Sequence, residues 1–572
     1  MASLQTPATP TPPSSKSTSK VSPSATIPER DGPPINLNLR FGNILRAILL
    51  LFGVAIGSYA SQLTLGPVYG GIPASLHHRN ICTAIFAIVW GSKAILRRVN
   101  PRPLWVLPIL TFYVPVIQRS LFQYSEKWGA EWGPIYTELL SYYPTLFLAI
   151  LGVSYLVEMP SLALDIIPAA ASYGIFKVVR DKLPSLLAHR IGSTWIFTRC
   201  GLTNLAAGLY GLLSPVALLL AIPGMIHSGY YNPGCTKAAG IRYLNATLAA
   251  QNYTVLARAE SLTGYISVIE NTFERYKVMR CDHSLLGGEW LMPPPGLEYL
   301  ANGEKETIYP VFVMLEAVRL IRPGPAARNP KALMIGLGIG TSHNGMMRHG
   351  VETHLVELDP IVYQYAKDYF HLLPNHTAHI VDAVKFVQDA SAVEKPKQWD
   401  FIIHDVFTGG AVPSVLFTTD MMQGMSKILK NDGVIAINYA GDLNQRPAKM
   451  VIQTIRSVFG HCKVFREDDP GDEEKAVDFT NMVIFCTKST APFRFRPAFE
   501  KDYLNTYSRQ SFLYPKFEVN LVKLFGKDGN REPYDVLDGR TIKEFEELQR
   551  RGAVHHWEIM RTVIKKEGWE NY

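Results

Sequence analysis

The 572-residue chain has no Cys-x-x-Cys pair. Its six cysteines, Cys82, Cys200, Cys235, Cys281, Cys462 and Cys486, are scattered, and none has a histidine at metal-ligand spacing. That pattern argues against a zinc site and against a disulfide framework, and it leads to an expectation of reduced thiols facing the cytosol. No dense Lys/Arg stripe interleaved with aromatics occurs, so the formal charge of +8 does not signal nucleic acid as a partner. Charge of either sign is scarce. Charged residues make up 19% of the chain against 47% apolar, a balance too oily for an ordinary soluble enzyme and too charged for membrane helices alone. Two unlike parts are averaged, and the length agrees, since it exceeds what one hydrophobic core organises.

What is present divides the chain into five. Residues 1–38 are rich in Pro, Ser and Thr and lack core-forming side chains, which predicts a disordered tail. Residues 39–228 hold about six apolar segments, near 43–65, 80–96, 103–122, 142–158, 161–179 and 198–227, which predict a multispan membrane domain with the lipid bilayer as partner. Lys93, Arg97, Arg98 and Arg102 after the second segment, with Arg30, Arg40 and Arg46 around the first, place both ends of that pair, and by extension the second half of the chain, in the cytosol. Within the segments only Asp165 carries a charge that would mark a pathway. Asn-x-Ser/Thr matches at Asn245, Asn252 and Asn375 would instead suit a lumenal orientation.

From about residue 229 the pattern becomes globular. Residues 229–325 form a linker and β-hairpin module, with strands at 263–271 and 276–290 and a helix at 308–321. Residues 326–495 alternate strand and helix, with strands near 332–336, 353–357, 378–382, 399–404 and 433–438 and two more at 463–467 and 482–487. Such alternation predicts a doubly wound, Rossmann-like α/β sheet with its ligand at the carboxyl ends of the strands. Residues 496–572 are a charged C-terminal extension, helical near 541–565.

The site is expected at those strand ends. In "LMIGLGIGTS" the glycines Gly336, Gly338 and Gly340 close an apolar strand and open a helix, letting the backbone approach a ligand. Glu357 ends the next strand, 21 residues beyond Gly336, where a carboxylate can accept from both hydroxyls of a ribose, and Asp382 ends the third beside an adenine ring. A dinucleotide site would need G-x-G-x-x-G and a second half; after Gly340 the next glycine is Gly345. An adenosyl sulfonium needs only the first half and leaves the fourth strand end, "WDFIIHDVF", free for chemistry. There Asp405 is the expected base that prepares a nucleophilic amine, while His404 points to the reverse face by strand alternation. His343 and His349 read as surface residues of a helix.

Residues 260 to about 490 resemble the spermidine/spermine synthase superfamily, on "GYISVIEN", "YKVMRCDHSLLGGEW", "VFVMLEAVRLI", "LMIGLGIGT", "VELDPIVYQYAKDYF", "VDAVKF", "WDFIIHDVF" and "LKNDGVIAIN". The resemblance implies a class I methyltransferase-type sheet, decarboxylated S-adenosylmethionine as donor and a small-molecule amine as acceptor. It places Glu357 at the ribose, Asp382 at the adenine and Asp405 as the catalytic aspartate, gives Tyr265 and Asp282 to the acceptor, and implies a homodimer through the hairpin module. Several positions depart from the family. Ile339 replaces the acid of the glycine loop, Thr408 stands where a second aspartate follows the catalytic one, and Leu286 and Val311 to Val313 replace polar residues of the acceptor site. Burying a polyamine's charges without carboxylate partners costs several kcal/mol. Aminopropyl transfer to an amine is therefore the first expectation, S-adenosylmethionine-dependent methyl transfer the alternative, and a non-catalytic relic fold the third.

Overall fold

The computed structural model describes residues 37–572 except 100–102, 158, 160–163, 237, 294–295, 301–303, 407–411, 472–476 and 527–535. The expected tail, up to residue 36, lies outside the described residues, and Leu37 already begins a helix.

The larger sheet has eight strands: β7 (Lys331–Ile335), β8 (Glu352–Glu357), β9 (Thr377–Ile380), β10 (Trp399–His404), β11 (Leu429–Asp442), β12 (His461–Arg466), β13 (Phe479–Thr487) and β15 (Phe517–Glu518). Their order is β15-β12-β13-β11-β10-β7-β8-β9. β11, β10, β7, β8 and β9 run parallel, β13 returns antiparallel between β11 and β12, and β12 again follows the parallel direction, so the expected doubly wound sheet is present with a mixed edge. Its central runs, Ala332–Ile335, Phe401–Ile403 and Val434–Ile437, are buried on both faces, as a parallel sheet covered by helices requires. Helices start at the strand ends because the right side chains stand there. Asp359, followed by Pro360, caps Pro360–Tyr369, and Asp382 caps Ala383–Ala392.

Ahead of this sheet lies an antiparallel sheet of five strands, β1 (Tyr253–Ser261), β2 (Gly264–Asn271), β3 (Tyr276–Cys281), β4 (Ser284–Trp290) and β5 (Glu306–Thr307). The single strand expected over 276–290 is thus a hairpin, turning at Asp282, which adopts a left-handed φ of 45°. The helix expected over 308–321 is one α-turn, Val311–Met314, continued as a 3-10 helix to Leu320. A two-stranded ribbon, β6 (Ile321–Arg322) with β14 (Arg494–Phe495), closes the join.

The first half is helical, but the count of six spans is not reached. Two described helices, Phe41–Tyr69 and Leu104–Phe122, are long and apolar enough to cross a bilayer, and the pair Ser125–Leu140 and Tyr142–Leu156, bent by 47°, makes a third if it is one span. The segment at 80–96 breaks at Ser92 into His78–Gly91 and Lys93–Val99, and 198–227 breaks at Ser214. Asp165 is paired with Lys93 at 2.8 Å, and a polar network that hydropathy hides joins Glu138 to His78 at 2.7 Å and to Ser61 at 2.7 Å.

Four cysteines pair, Cys200 with Cys235 and Cys462 with Cys486, which corrects the expectation of six reduced thiols. Linear scatter concealed both pairs; Cys462 and Cys486 face each other in register across β12 and β13.

The two halves meet around Arg280, which is 1% exposed. Its guanidinium donates to the carbonyls of Pro67 (2.6 Å) in the first helix, Gly568 (2.6 Å) near the C-terminus and Asp282 (2.8 Å) in its own hairpin. Tyr572 adds a bond from its hydroxyl to the Thr64 carbonyl at 2.7 Å, and Trp557 one from its indole to the Val68 carbonyl at 2.9 Å. Replacing Arg280 by Met should strand these carbonyls and lower stability by about 3 kcal/mol, read as a drop in thermal midpoint; an unchanged midpoint would show that the joint contributes little.

Candidate active site

The four parallel strand ends β10, β7, β8 and β9 stand side by side, which brings Asp405, the glycine loop, Glu357 and Asp382 to one edge of the sheet. Gly336 has φ 87°, and a Cβ there would lie 2.0 Å from the carbonyl oxygen of Asp405. Gly338, at φ 56°, faces the Leu286 carbonyl at 2.4 Å in the same sense. Gly340, at φ 88°, faces Leu372. The glycines are therefore demanded by the protein's own close packing as well as by any ligand. Glu357 is buried and accepts from the Leu337 amide at 3.0 Å and the Asp359 amide at 2.9 Å. Burial, only partly offset by these bonds, pushes its carboxyl up to about 7. Asp382 is exposed and accepts from the Val384 amide at 2.7 Å as a helix cap.

Asp405 hangs between two strands. Its amide donates to the Ile335 carbonyl at 2.8 Å, and its Oδ1 accepts from Asn438 Nδ2 at 2.7 Å. Burial pushes its carboxyl up to about 6, the Asn438 bond opposing. Because an ionised carboxylate only accepts, Asn438 must turn its NH2 to Asp405, and its Oδ1, buried and without a partner among the described residues, is left over.

Asp405, Asn438 and Gly338 line a cavity of about 300 Å³. Its lining is apolar at Leu285, Leu286, Val311 and Phe312 and polar at Glu467, Asp468, Thr480 and Asn481. The helix Ile542–Val563 contributes His556, Ile559, Met560 and Val563, giving the C-terminal extension a place in the site. Ile339, in the position of the family's acid, is 4% exposed and packs toward Gly287.

Not every expected residue arrives here. Tyr265 and Asp282 are buried in the joint between the halves, Tyr265 against Tyr572 at 5.4 Å and Asp282 accepting from the Tyr265 amide at 2.9 Å, and neither lines the cavity. His404 is buried on the reverse face against Phe417, as strand alternation implied. His343 departs from its surface reading: it is 1% exposed, and desolvation holds its imidazole down to about 3. His349 is half-buried. Thr408 lies outside the described residues. Asn438, Glu467, Asp468 and His556 were missed; Asn438 ends an apolar strand run just as Asp405 does, which was the available signal, while Glu467 follows Arg466 in an acidic run.

Residues 314–466 match the Spermine/spermidine synthase domain family. An N-terminal histidine N-methyltransferase of Emericella nidulans is 40% identical over 541 residues, covering 91% of this chain and 96% of that protein. The chain belongs to the family of this methyltransferase. A polyamine aminopropyltransferase of Vibrio vulnificus is 31% identical over 173 residues, 30% of this chain and 55% of that protein. Among solved structures, a probable spermidine synthase from Corynebacterium glutamicum superimposes with TM-score 0.36 at 16% identity, covering 46% of this chain and 90% of the other. As a family member the chain is a transferase, with S-adenosylmethionine or its decarboxylated form as co-substrate.

Substituting Gly336 by Ala forces a clash with the Asp405 carbonyl and a strained φ. Affinity for S-adenosylmethionine, measured by calorimetry, should fall at least about tenfold, the equivalent of 1.4 kcal/mol; wild-type affinity would show that the loop yields at no cost.

Proposed function

We propose that the protein is an S-adenosylmethionine-dependent N-methyltransferase whose acceptor is an N-terminal histidine. The observation that carries this reading is the 40% identity to an enzyme of that activity across both the helical and the catalytic half, where the aminopropyltransferase relation covers 30% of the chain. The cavity supports it. Its apolar lining at Leu286, Val311 and Phe312 gives a flat aromatic ring a surface to pack against. Ile339 in place of an acid removes a charge that would repel the donor's carboxylate.

S-adenosylmethionine supplies an electrophilic methyl group on a sulfonium. The glycine loop and Glu357 hold its ribose, and Asp382 borders the adenine. The acceptor's neutral imidazole attacks with the lone pair of one ring nitrogen; the new N–C bond forms as the C–S pair leaves to sulfur. The ring would then be cationic, and Asp405, held by Asn438, takes the proton from the other ring nitrogen. A carboxyl at about 6 is matched to an imidazole, whose ordinary pKa is about 6.5, and general-base help of this kind is worth about 10²- to 10⁴-fold.

Membrane attachment through Phe41–Tyr69 and Leu104–Phe122 belongs to the same reading, supported by outward-facing Leu212, Val216 and Leu219, each at least 68% exposed. The two disulfides favour an oxidising compartment over the cytosol.

Asp405 must be ionised to accept a proton and the imidazole must be neutral to attack, so kcat/KM for a His-initiated peptide should fall with a two-proton slope below about pH 6. Asp405→Asn should lower kcat by about 10²-fold or more and leave a one-proton slope from the peptide alone; full activity in this variant would remove Asp405 from the mechanism. In carbonate-washed membranes the protein should remain in the pellet and, before reduction, offer only Cys82 and Cys281 to alkylation after denaturation; release, or six reactive thiols, would count against membrane attachment or the oxidising compartment respectively.

A further inference from the structure

The cavity holds more recognition chemistry than the methyl-transfer step uses. Glu467, at the end of β12, accepts from the Val311 amide at 3.1 Å and from Asn481 Nδ2 at 2.5 Å, one bond to each oxygen. A carboxylate has about four lone-pair positions, so each oxygen can still accept another donor. Asp468 beside it accepts from Thr480 Oγ1 at 2.7 Å through Oδ1. The nearest cation, Arg466, is 3.9 Å from Asp468 but is committed to Asp478 at 2.8 Å through both of its terminal nitrogens. Among the described residues Glu467 thus has no ion-pair partner, and Asp468 has only this shared one. Beside Glu467 the buried Tyr309 hydroxyl, also lining the cavity, has no partner among the described residues, and Asn438, 6% exposed, presents its Oδ1, likewise unpartnered among them. These groups are arranged for a donor-rich, positively charged ligand end.

We propose that Glu467 and Asp468 bind the free α-ammonium group of the acceptor, while Asn438 and Asp405 receive its imidazole, so that an unblocked N-terminus is a condition for methylation. The inference rests on the methyltransferase reading above and names the determinant of its specificity. The two recognition points are three strands apart, β10 to β11 to β13 to β12, which is about 14 Å between backbones at about 4.8 Å per strand. Both sets of side chains reach inward from there, leaving a gap on the scale of one amino acid held at each end. An α-amino group has an ordinary pKa of about 7.7–8.0 and arrives mostly protonated at neutral pH, so it brings a charge-assisted donor that an internal histidine lacks. A blocked terminus would leave two carboxylates facing an uncharged amide, and rejection by unmet polar groups is stronger than rejection by shape.

The test uses the full-length protein in detergent, a peptide beginning with histidine, and the same peptide N-acetylated. Wild type should methylate the free peptide with kcat/KM at least about tenfold above the acetylated one. The double variant Glu467→Gln, Asp468→Asn keeps side-chain oxygens for the Val311 and Thr480 bonds; it should raise KM for the free peptide at least about tenfold and bring the two peptides close together. Its affinity for S-adenosylmethionine, measured by calorimetry, should equal that of wild type and so report a folded donor site. Equal methylation of both peptides by wild type overturns the inference without any variant, and so does an unchanged KM in the double variant. If wild type binds S-adenosylmethionine and methylates neither peptide, the histidine reading itself fails, and the ammonium site with it.

Discussion

The carbonyl oxygen of Asp405 occupies the place where a side chain at position 336 would stand, and most of the site follows from that contact. It forces glycine at the end of β7 and a left-handed turn there, which in turn aims the Leu337 amide at Glu357. The same approach seats the Asp405 amide on the Ile335 carbonyl and leaves its side chain directed at Asn438 and the cavity. The glycine turn and the cavity are thus joined through one backbone contact.

Around that point the cavity is assembled from segments far apart in sequence. Leu285 and Leu286 come from the antiparallel sheet, Val311 and Phe312 from the short helix after it, and Glu467 and Asn481 from the antiparallel strands β12 and β13. His556 and Met560 come from a helix that also bonds to the helical half through Trp557 and, at Arg561, to Ser125 at 2.7 Å. One helix therefore walls the site and grips the other half. This sharing gives a structural reason for a relationship to the Emericella nidulans methyltransferase that runs through both halves and is not confined to the domain of residues 314–466.

What the sequence made legible was local. An apolar run ending in an acid marks a buried strand and its tip, so Glu357, Asp382 and Asp405 could be placed on neighbouring strand ends, and the alternation of strand and helix from 331 to 487 was readable from periodicity. What it hid was set by distance or by breaks. Arg280 finds carbonyl partners 213 and 288 residues away, so nothing near it announced a joint, and Tyr265 and Asp282 were drawn to the acceptor when they belong to that joint. Hydropathy averaged over Ser92 and Ser214, where helices stop, and counted continuous spans. The acceptor preference was hidden for another reason: Glu467 and Asp468 lie in "FREDDPG", an acidic run that reads as a solvated turn until β12 and β13 bring it to the cavity.

The seam around Arg280 has a practical corollary for anyone who would cut the enzyme to a manageable size. A fragment beginning near residue 229 would keep every group in the catalytic cleft, yet it would carry a guanidinium deprived of its Pro67 carbonyl and a Trp557 indole deprived of Val68. The sticky face so created lies on the back of the wall that shapes the cleft, so miniaturisation would loosen the pocket from behind while leaving its chemistry nominally intact.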